Sequence, residues 1–355
     1  MRKLLECKNK TFFVTGGAGF IGSEVTKQIS NSGGNVIVYD NFSSGKKTYL
    51  KNIPNVKIIN GDLKNKSLLS KSMKNCQYVI NLAAYPFIPD SYHYPQEFFD
   101  VNTNGSLNVI LEAKNQKKIK NFVHISTSEV YGTSKINPMN EDHPTLPHST
   151  YAVSKLAADR AIFTIHKEHN FPAVIIRPFN AYGPKITQPY IIPEIILQLL
   201  QGKKILKLGN IETSRDFTFV SDTARGIINS LFVDKAIGET INLGSGKTYK
   251  IKDIVNIASS ILNTKVSIKM DKKRIRPFDV NLLICDNKKA QKLLSWKPEV
   301  SFREGLEQTI IWAKENPINF KNAFDGFVSK SNGKKKERTV KQYESNKAQT
   351  NFRRN

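Results

Sequence analysis

Cysteine is scarce in this chain. There are three in 355 residues, Cys7, Cys76 and Cys285, far apart and at no metal-ligand spacing. That excludes a disulfide-built fold, leaves no metal to expect, and suits reduced thiols in a cytoplasmic protein. Long apolar runs are missing too. The richest, YIIPEIILQLL, is broken by Pro193 and Glu194 and reads as a core-facing helix rather than a membrane span. The N-terminal MRKLLECKNK has charges on both sides of a very short apolar pair, which is no signal peptide. The third deficit is acid: 30 Asp and Glu face 54 Lys and Arg, a net charge of +24. Such an excess attracts polyanions, either nucleic acid or a phosphorylated substrate.

Apolar residues make up 39% of the chain, enough for filled cores and too many for a disordered protein. In the first half, short β-branched runs alternate with helical stretches. TFFVTG, NVIVYD, VKIIN, YVINLAA, NFVHIS and AVIIRP read as strands. Residues 22–30, 66–74, a long segment ending near Gln116, and 150–169 read as helices. Strands that are apolar throughout and alternate with helices predict an α/β fold, a doubly wound parallel sheet covered on both faces. After Pro178 the alternation loosens, with helices near 191–201, after Asp222 and near 251–262, the strands KILKLG and TINLGSG, and a closing amphipathic helix. We therefore expect a first domain over 1–178 and a smaller, mixed α/β substrate domain over 179–318, parts of which return to the first. A basic, disordered tail over 319–355 is expected to follow. Its last stretch, from Lys330, holds nine Lys and Arg against two Glu and has no apolar periodicity, so the tail accounts for only part of the charge.

FFVTGGAGFIGSEV places Gly16, Gly19 and Gly22 between a strand and a helix. In that setting the glycines permit a tight turn and a close approach of the backbone to a pyrophosphate at the helix N-terminus. The next strand ends at Asp40, whose carboxylate would accept hydrogen bonds from a ribose and repel a 2′-phosphate. That points to NAD over NADP, with Lys46 and Lys47 nearby as the feature that softens the exclusion. Asp62 follows the third strand and is placed to meet an adenine amino group. Leu82, Ala83 and Ala84 end the fourth strand with small groups that leave room for a cofactor. Phe20, Ile21, Asn41, Leu63 and Asn102 complete the candidate cofactor contacts.

The fifth strand, NFVHIS, runs into Ser126, Thr127, Ser128 and Glu129. Groups like these are costly to bury unpaired, so a core strand that ends in them faces either water or a ligand. Tyr151 and Lys155 lie four apart on a predicted helix and share a face. An ammonium beside a tyrosine lowers its pKa and makes it a base for a substrate hydroxyl.

With TGGAGFIGS, NLAA, NTNGSLNV, STSEVYG, YAVSK, RPFNAYGP, SRDFTFVSD and NLGSG in this order, the chain resembles the extended short-chain dehydrogenase/reductase family. These are NAD-dependent nucleotide-sugar epimerases and dehydratases with a Rossmann-type sheet, and the resemblance covers nearly all of residues 10–316. It implies that Thr127 hydrogen-bonds the reacting oxygen, that Tyr151 is the base, and that Lys155 anchors the nicotinamide ribose. It also implies that Asn180 contacts the substrate, that Arg215 and Arg276 pair with the nucleotide diphosphate, and that the protein is a homodimer. Glu129 is a residue that simple 4-epimerases do not need. In sugar 4,6-dehydratases a glutamate there removes the C5 proton, and Ser128 stands where many of them carry an aspartic acid. The same Ser-Glu pair resembles UDP-glucuronate decarboxylases. The expected function is thus a nucleotide-sugar 4,6-dehydratase, with a 4-epimerase and then a decarboxylase as alternatives. A relative without chemistry that binds RNA is the reading from another class, and the intact Thr127, Tyr151 and Lys155 argue against it.

Overall fold

The computed structural model describes residues 6–185, 188–275 and 278–317; the expected tail from 319 and Arg276 lie outside the described residues. The first six strands are β1 (Thr11–Thr15), β2 (Asn35–Asp40), β3 (Val56–Asn60), β4 (Tyr78–Asn81), β5 (Asn121–Ile125) and β6 (Ala173–Pro178). They are followed by β7 (Asn180–Tyr182), β8 (Ile205–Leu208), β9 (Ser214–Phe219), β10 (Thr240–Leu243), β11 (Thr248–Lys250) and β12 (Ser267–Met270). The helices of the first half are α1 (Phe20–Asn31), α2 (Lys66–Met73), α3 (Ile88–Ser91), α4 (Pro95–Phe98), α5 (Ser106–Lys114) and α6 (Thr150–His169). Those of the second are α7 (Ile191–Leu200), α8 (Val220–Ser230), α9 (Ile251–Ile261), α10 (Lys288–Leu294) and α11 (Phe302–Glu315).

Seven strands pair in parallel in the order β10-β6-β5-β4-β1-β2-β3, which is the doubly wound sheet that the alternation predicts. The chain steps outward from β1 to β3, then returns to place β4 on the other side of β1. The strand order reverses there, so a crevice opens beyond the carboxyl ends of β1 and β4. Alternate residues of each strand supply two cores. Phe12, Val14, Val38, Ile80, Val123 and Ile176 pack with Val25 and Ile29 of α1 and Ile227 and Ile228 of α8. Phe13, Val79, Phe122 and Ile175 pack on the other face with Leu69 of α2, Val109 of α5 and Ile162 of α6. Burial on both faces is why these strands read as unbroken apolar runs.

The second half splits. β10 hydrogen-bonds to β6 at the edge of the large sheet, and α8 packs beside α1, so this stretch belongs to the first layer system. The rest forms a small unit with its own core. In it β11, β9 and β7 make one sheet and β12 and β8 another, under α7, α9 and α11. In α7, Pro193 sits within the first turn, where a helix needs no donated N–H, and Ile192, Ile195, Ile196 and Leu199 are buried. The helix expected to end near Gln116 is more complex. A π-helical stretch over Phe99–Gly105 joins α4 to α5, which ends at Lys114. No helix among the described residues is long and apolar enough to cross a membrane.

Asp222 fastens the closing segment to the first core. Its buried carboxylate accepts from Glu299 N (2.9 Å) and Val300 N (3.0 Å) and pairs with Arg225 at 2.6 Å, while its carbonyl accepts from Trp296 Nε1 at 2.8 Å. Asp222→Ala would leave two part-buried N–H groups without an acceptor and take from Arg225 the shorter of its two ion pairs, Glu299 remaining at 3.3 Å, a loss of about 2–4 kcal/mol. We expect its thermal unfolding midpoint to fall by roughly 5 °C. An unchanged midpoint in differential scanning calorimetry would contradict this role.

Candidate active site

A cleft of about 1210 Å³ runs along the carboxyl ends of the central strands and under the small unit. That is more than one drug-sized ligand fills, and it suits a dinucleotide together with a second nucleotide. One end is built by the glycine loop. Gly16 has φ +67°, and a Cβ on it would stand 2.8 Å from the Cα of Ala83, so the loops after β1 and β4 touch there. A Cβ on Gly22 would stand 2.1 Å from the carbonyl oxygen of Gly16. Side chains are excluded at both places, and α1 starts at Phe20 with no side-chain cap on its first N–H groups. An anion can therefore approach the helix N-terminus closely.

Asp40 ends β2 beside that loop. Its oxygens accept from Ala18 N (3.0 Å) and Phe42 N (2.8 Å), which fixes the carboxylate on the cleft wall. Burial raises its pKa, and the two N–H groups oppose that. Lys46 and Lys47 do not reach the cleft: their ammonium groups lie 5.7 Å and 5.1 Å from the ring centres of Tyr49 and Phe42. Asn41 Nδ2 donates to Asp62 Oδ2 at 3.1 Å, and both residues line the cleft with Leu63, Phe20 and Ile21. Beyond β4, Thr15 Oγ1 accepts from Leu82 N and Ala83 N (3.1 Å each) and shapes the wall that Leu82, Ala83 and Ala84 present. These donors, the cradle and the carboxylate are what an adenine dinucleotide requires.

Asn102 lies behind the wall and holds Tyr85, which lines the cleft. It is fully buried; its Oδ1 accepts from Tyr85 N (2.7 Å) and its Nδ2 donates to Tyr85 O (3.1 Å) and Ser154 Oγ (3.0 Å). An amide whose groups are taken up by one backbone and one hydroxyl orients a loop and has little left for a ligand.

The polar end of β5 faces the middle of the cleft. Ser128–Tyr131 form one 3₁₀ turn, capped by Thr127, whose Oγ1 accepts from Glu129 N at 3.2 Å. α6 begins beside it, with Ser149 Oγ accepting from Ala152 N at 3.1 Å. One turn apart on that helix, Tyr151 hydrogen-bonds Thr127, and Lys155 Nζ donates to the carbonyl oxygen of Ile125 at 2.5 Å. Glu129 stands on the same wall and is 8% exposed.

The electrostatics differ from the expectation in one respect. Lys155 was expected to lower the tyrosine pKa, yet the Tyr151 hydroxyl is pushed up to about 12. Burial is the main cause, the hydrogen bond with Thr127 opposes it, and the charge of Glu129 adds to it. The Lys155 ammonium is directed at Ile125 instead, and burial brings its own pKa down to about 8.

Of the expected substrate contacts, Asn180 lines the cleft, and its Oδ1 is buried without a hydrogen-bond partner. Arg215 lines it too and pairs with Asp279 at 3.1 Å. Arg276 lies outside the described residues. Several lining residues were not expected, among them Tyr190, Thr213, Arg274 and Asp279. Tyr190 OH donates to Pro86 O at 3.0 Å and closes the wall over the loop after β4. No local motif marks these four; only their shared position on the cleft does.

The comparisons fit this geometry. The family model described as GDP-mannose 4,6 dehydratase matches residues 13–309. A UDP-glucuronate 4-epimerase of Thermodesulfobacterium geofontis is 33% identical over 86% of this chain and 96% of its own length. A dTDP-glucose 4,6-dehydratase of an Actinoplanes species is 30% identical over 85% and 97%. The solved structure of UDP-glucuronic acid 4-epimerase from Bacillus cereus, in complex with UDP-glucuronic acid and NAD, is similar at a TM-score of 0.80. It is 31% identical and covers 86% of this chain and 99% of its own. UDP-glucuronic acid decarboxylases also stand among the relatives, at about 30% identity. Sheet, glycine cradle and Tyr-Lys helix together with these matches place the chain in the family of the GDP-mannose 4,6 dehydratase model, within the extended short-chain dehydrogenases/reductases.

Proposed function

We propose that this protein is an NAD-dependent nucleotide-sugar 4,6-dehydratase. The observation that carries this reading is the Glu129 carboxylate, buried on the cleft wall close enough to Tyr151 for its charge to act on the hydroxyl. NAD held by the glycine loop and Asp40 would supply the acceptor for the C4 hydride, the donor of that hydride to C6 once water is lost, and a positive ring that favours the tyrosinate. The chain's own groups then divide the proton work. Thr127 holds the C4 hydroxyl of the sugar and Tyr151 takes its proton. A ketone at C4 acidifies the hydrogen at C5, and Glu129 takes it. The C6 hydroxyl leaves as water; Ser128 stands where many 4,6-dehydratases carry the aspartic acid that protonates it, and it is not assigned that proton. Asn180 contacts the substrate, and Arg215 pairs with its diphosphate, a task suited to a guanidinium.

A 4-epimerase is the second reading, favoured by the hydrogen bond between Thr127 and Tyr151, which by itself serves a hydride that leaves C4 and returns to it. A uronate decarboxylase would need a cation at the sugar carboxylate, and the loop over 83–99 carries no Lys or Arg. The protein is also proposed to be a two-fold dimer through α5 and α6, where Leu111 and Val153 are 39% and 40% exposed.

The purified protein should bind NAD with clear preference over NADP, because Asp40 occupies the place of a 2′-phosphate. Calorimetric titration with both cofactors decides this, and equal or tighter NADP binding would overturn the role of Asp40.

Two variants separate the two proton steps. Tyr151→Phe should bind cofactor normally and lose turnover by a factor on the order of 10²–10⁴. Glu129→Gln should still reduce bound cofactor on addition of substrate but release no water. In D₂O the parent enzyme should place deuterium at C5 of a 4-keto-6-deoxy product. A product inverted at C4, with no deuterium at C5 and an intact C6 hydroxyl, would make the protein an epimerase.

For assembly, sedimentation at micromolar concentration should show a dimer, and Val153→Glu should convert it to monomer. A parent protein that sediments as monomer would refute the dimer.

A further inference from the structure

One buried carboxylate has no part in the scheme above. Asp159 follows Lys155 by one helical turn, so Tyr151, Lys155 and Asp159 share a face of α6. Its side chain is wholly buried. Arg177, near the end of β6, clasps it through Nε at 2.8 Å and Nη2 at 3.2 Å, and Arg160 Nη2 adds a contact at 2.6 Å. Arg177 Nη1 in turn donates to Tyr131 OH at 2.9 Å, at the end of the turn that carries Glu129. Tyr131 OH donates to Asn242 Oδ1 at 2.8 Å.

An ion pair that merely braces the fold would account for Arg177. It leaves Lys155 unexplained, because a buried ammonium is costly and the carbonyl of Ile125 carries no full charge. Around Lys155 stand Tyr151 and Asp159, one turn before and after it on its own helix, and His124 and the Ile125 carbonyl on β5; Arg177 of β6 holds Asp159, and Glu129 acts on Tyr151. His124 cannot compensate it. Thr15 Oγ1 accepts from two backbone N–H groups, so its proton goes to Asn81 Oδ1 at 2.7 Å. That turns Asn81 Nδ2 toward His124 Nδ1 at 3.2 Å, and the neutral ring carries its proton on Nε2. Burial and the charge of Lys155 keep it neutral. Asp159 is the anion left.

We propose that Asp159 is a positioning residue that keeps buried Lys155 in its ammonium form, while Arg177 and Arg160 hold Asp159 itself ionised and in place. This rests on the proposed pairing of Lys155 with Tyr151. Burial brings the lysine down to about 8, and Asp159 is the charge that opposes the fall. Burial also works to raise the Asp159 carboxyl, but the two guanidiniums hold it below its usual range. Lys155 is therefore charged below about pH 8 and loses its proton above it, and removal of Asp159 moves that loss to lower pH.

The test uses the full-length protein with ¹³Cε-labelled lysine, the Lys155 resonance being assigned by its absence in Lys155→Met. Asp159→Asn should lower the titration midpoint of Lys155 by on the order of one pH unit or more. The alkaline limb of the pH–rate profile should move with it, and Asp159→Glu should restore much of both. Arg177→Met breaks the same ion pair but leaves Arg160 on the carboxylate, so its midpoint should fall by less than that of Asp159→Asn. If either single variant fails to fold, Asp159→Asn combined with Arg177→Met removes both buried charges, and its midpoint should still fall, since Asp159 rather than Arg177 acts on Lys155. An unmoved midpoint in every folded variant that lacks Asp159, or equal shifts in Asp159→Asn and Arg177→Met, would reduce Asp159 to a brace. The resonance reports on Lys155 whichever product forms. An epimerised product would overturn the dehydratase reading and leave this one standing.

Discussion

The hydrogen bond from Lys155 Nζ to the carbonyl of Ile125 joins the two halves of the candidate chemistry. It binds the face of α6 to the last residue of β5, and so brings Tyr151 to Thr127 although 24 residues separate them. A buried ammonium is tolerable only where oxygen and negative charge meet it, and here the strand end and Asp159 supply both. Around that contact the polar end of β5 ceases to be a defect. Thr127 caps the turn that follows, Tyr131 is held by Arg177 and Asn242, and Glu129 is left on the cleft wall.

The second constraint is contact between backbones at the switch point. Gly16 and Ala83 approach closely enough to forbid a side chain at Gly16, which brings the ends of β1 and β4 together. The crevice beyond them is then a product of strand order, and the cofactor end and the Tyr-Lys end fall into one continuous cleft because both sit at carboxyl ends of the same sheet.

Much of the fold was legible because its signals are local. The six apolar runs of the first half are strands in the structure, and the glycine loop lies where a strand meets a helix. Thr127 with Glu129, and Tyr151 with Lys155, could be read from one strand end and one helical spacing, while joining the two pairs rested on the family resemblance. For Asn102 the motif names the residue without saying which way its amide turns, and Tyr85 and Ser154 set that. β9 was missed because Ser214–Phe219 mixes charge with aromatics, and only its partners β7 and β11 make it a strand.

The sequence by itself determined what lies within one turn or one strand: the alternation, the glycine cradle, the apolar faces and the Tyr-Lys pair. Tertiary structure decided whatever depends on segments far apart in the chain. It placed Thr240–Leu243 beside β6, it met Arg215 with Asp279, and it closed Arg177 on Asp159. The physical reason is the same throughout. Local pattern sets which backbone conformations are favourable, whereas burial of charge is favourable only when a distant partner arrives, and no short stretch of sequence names that partner.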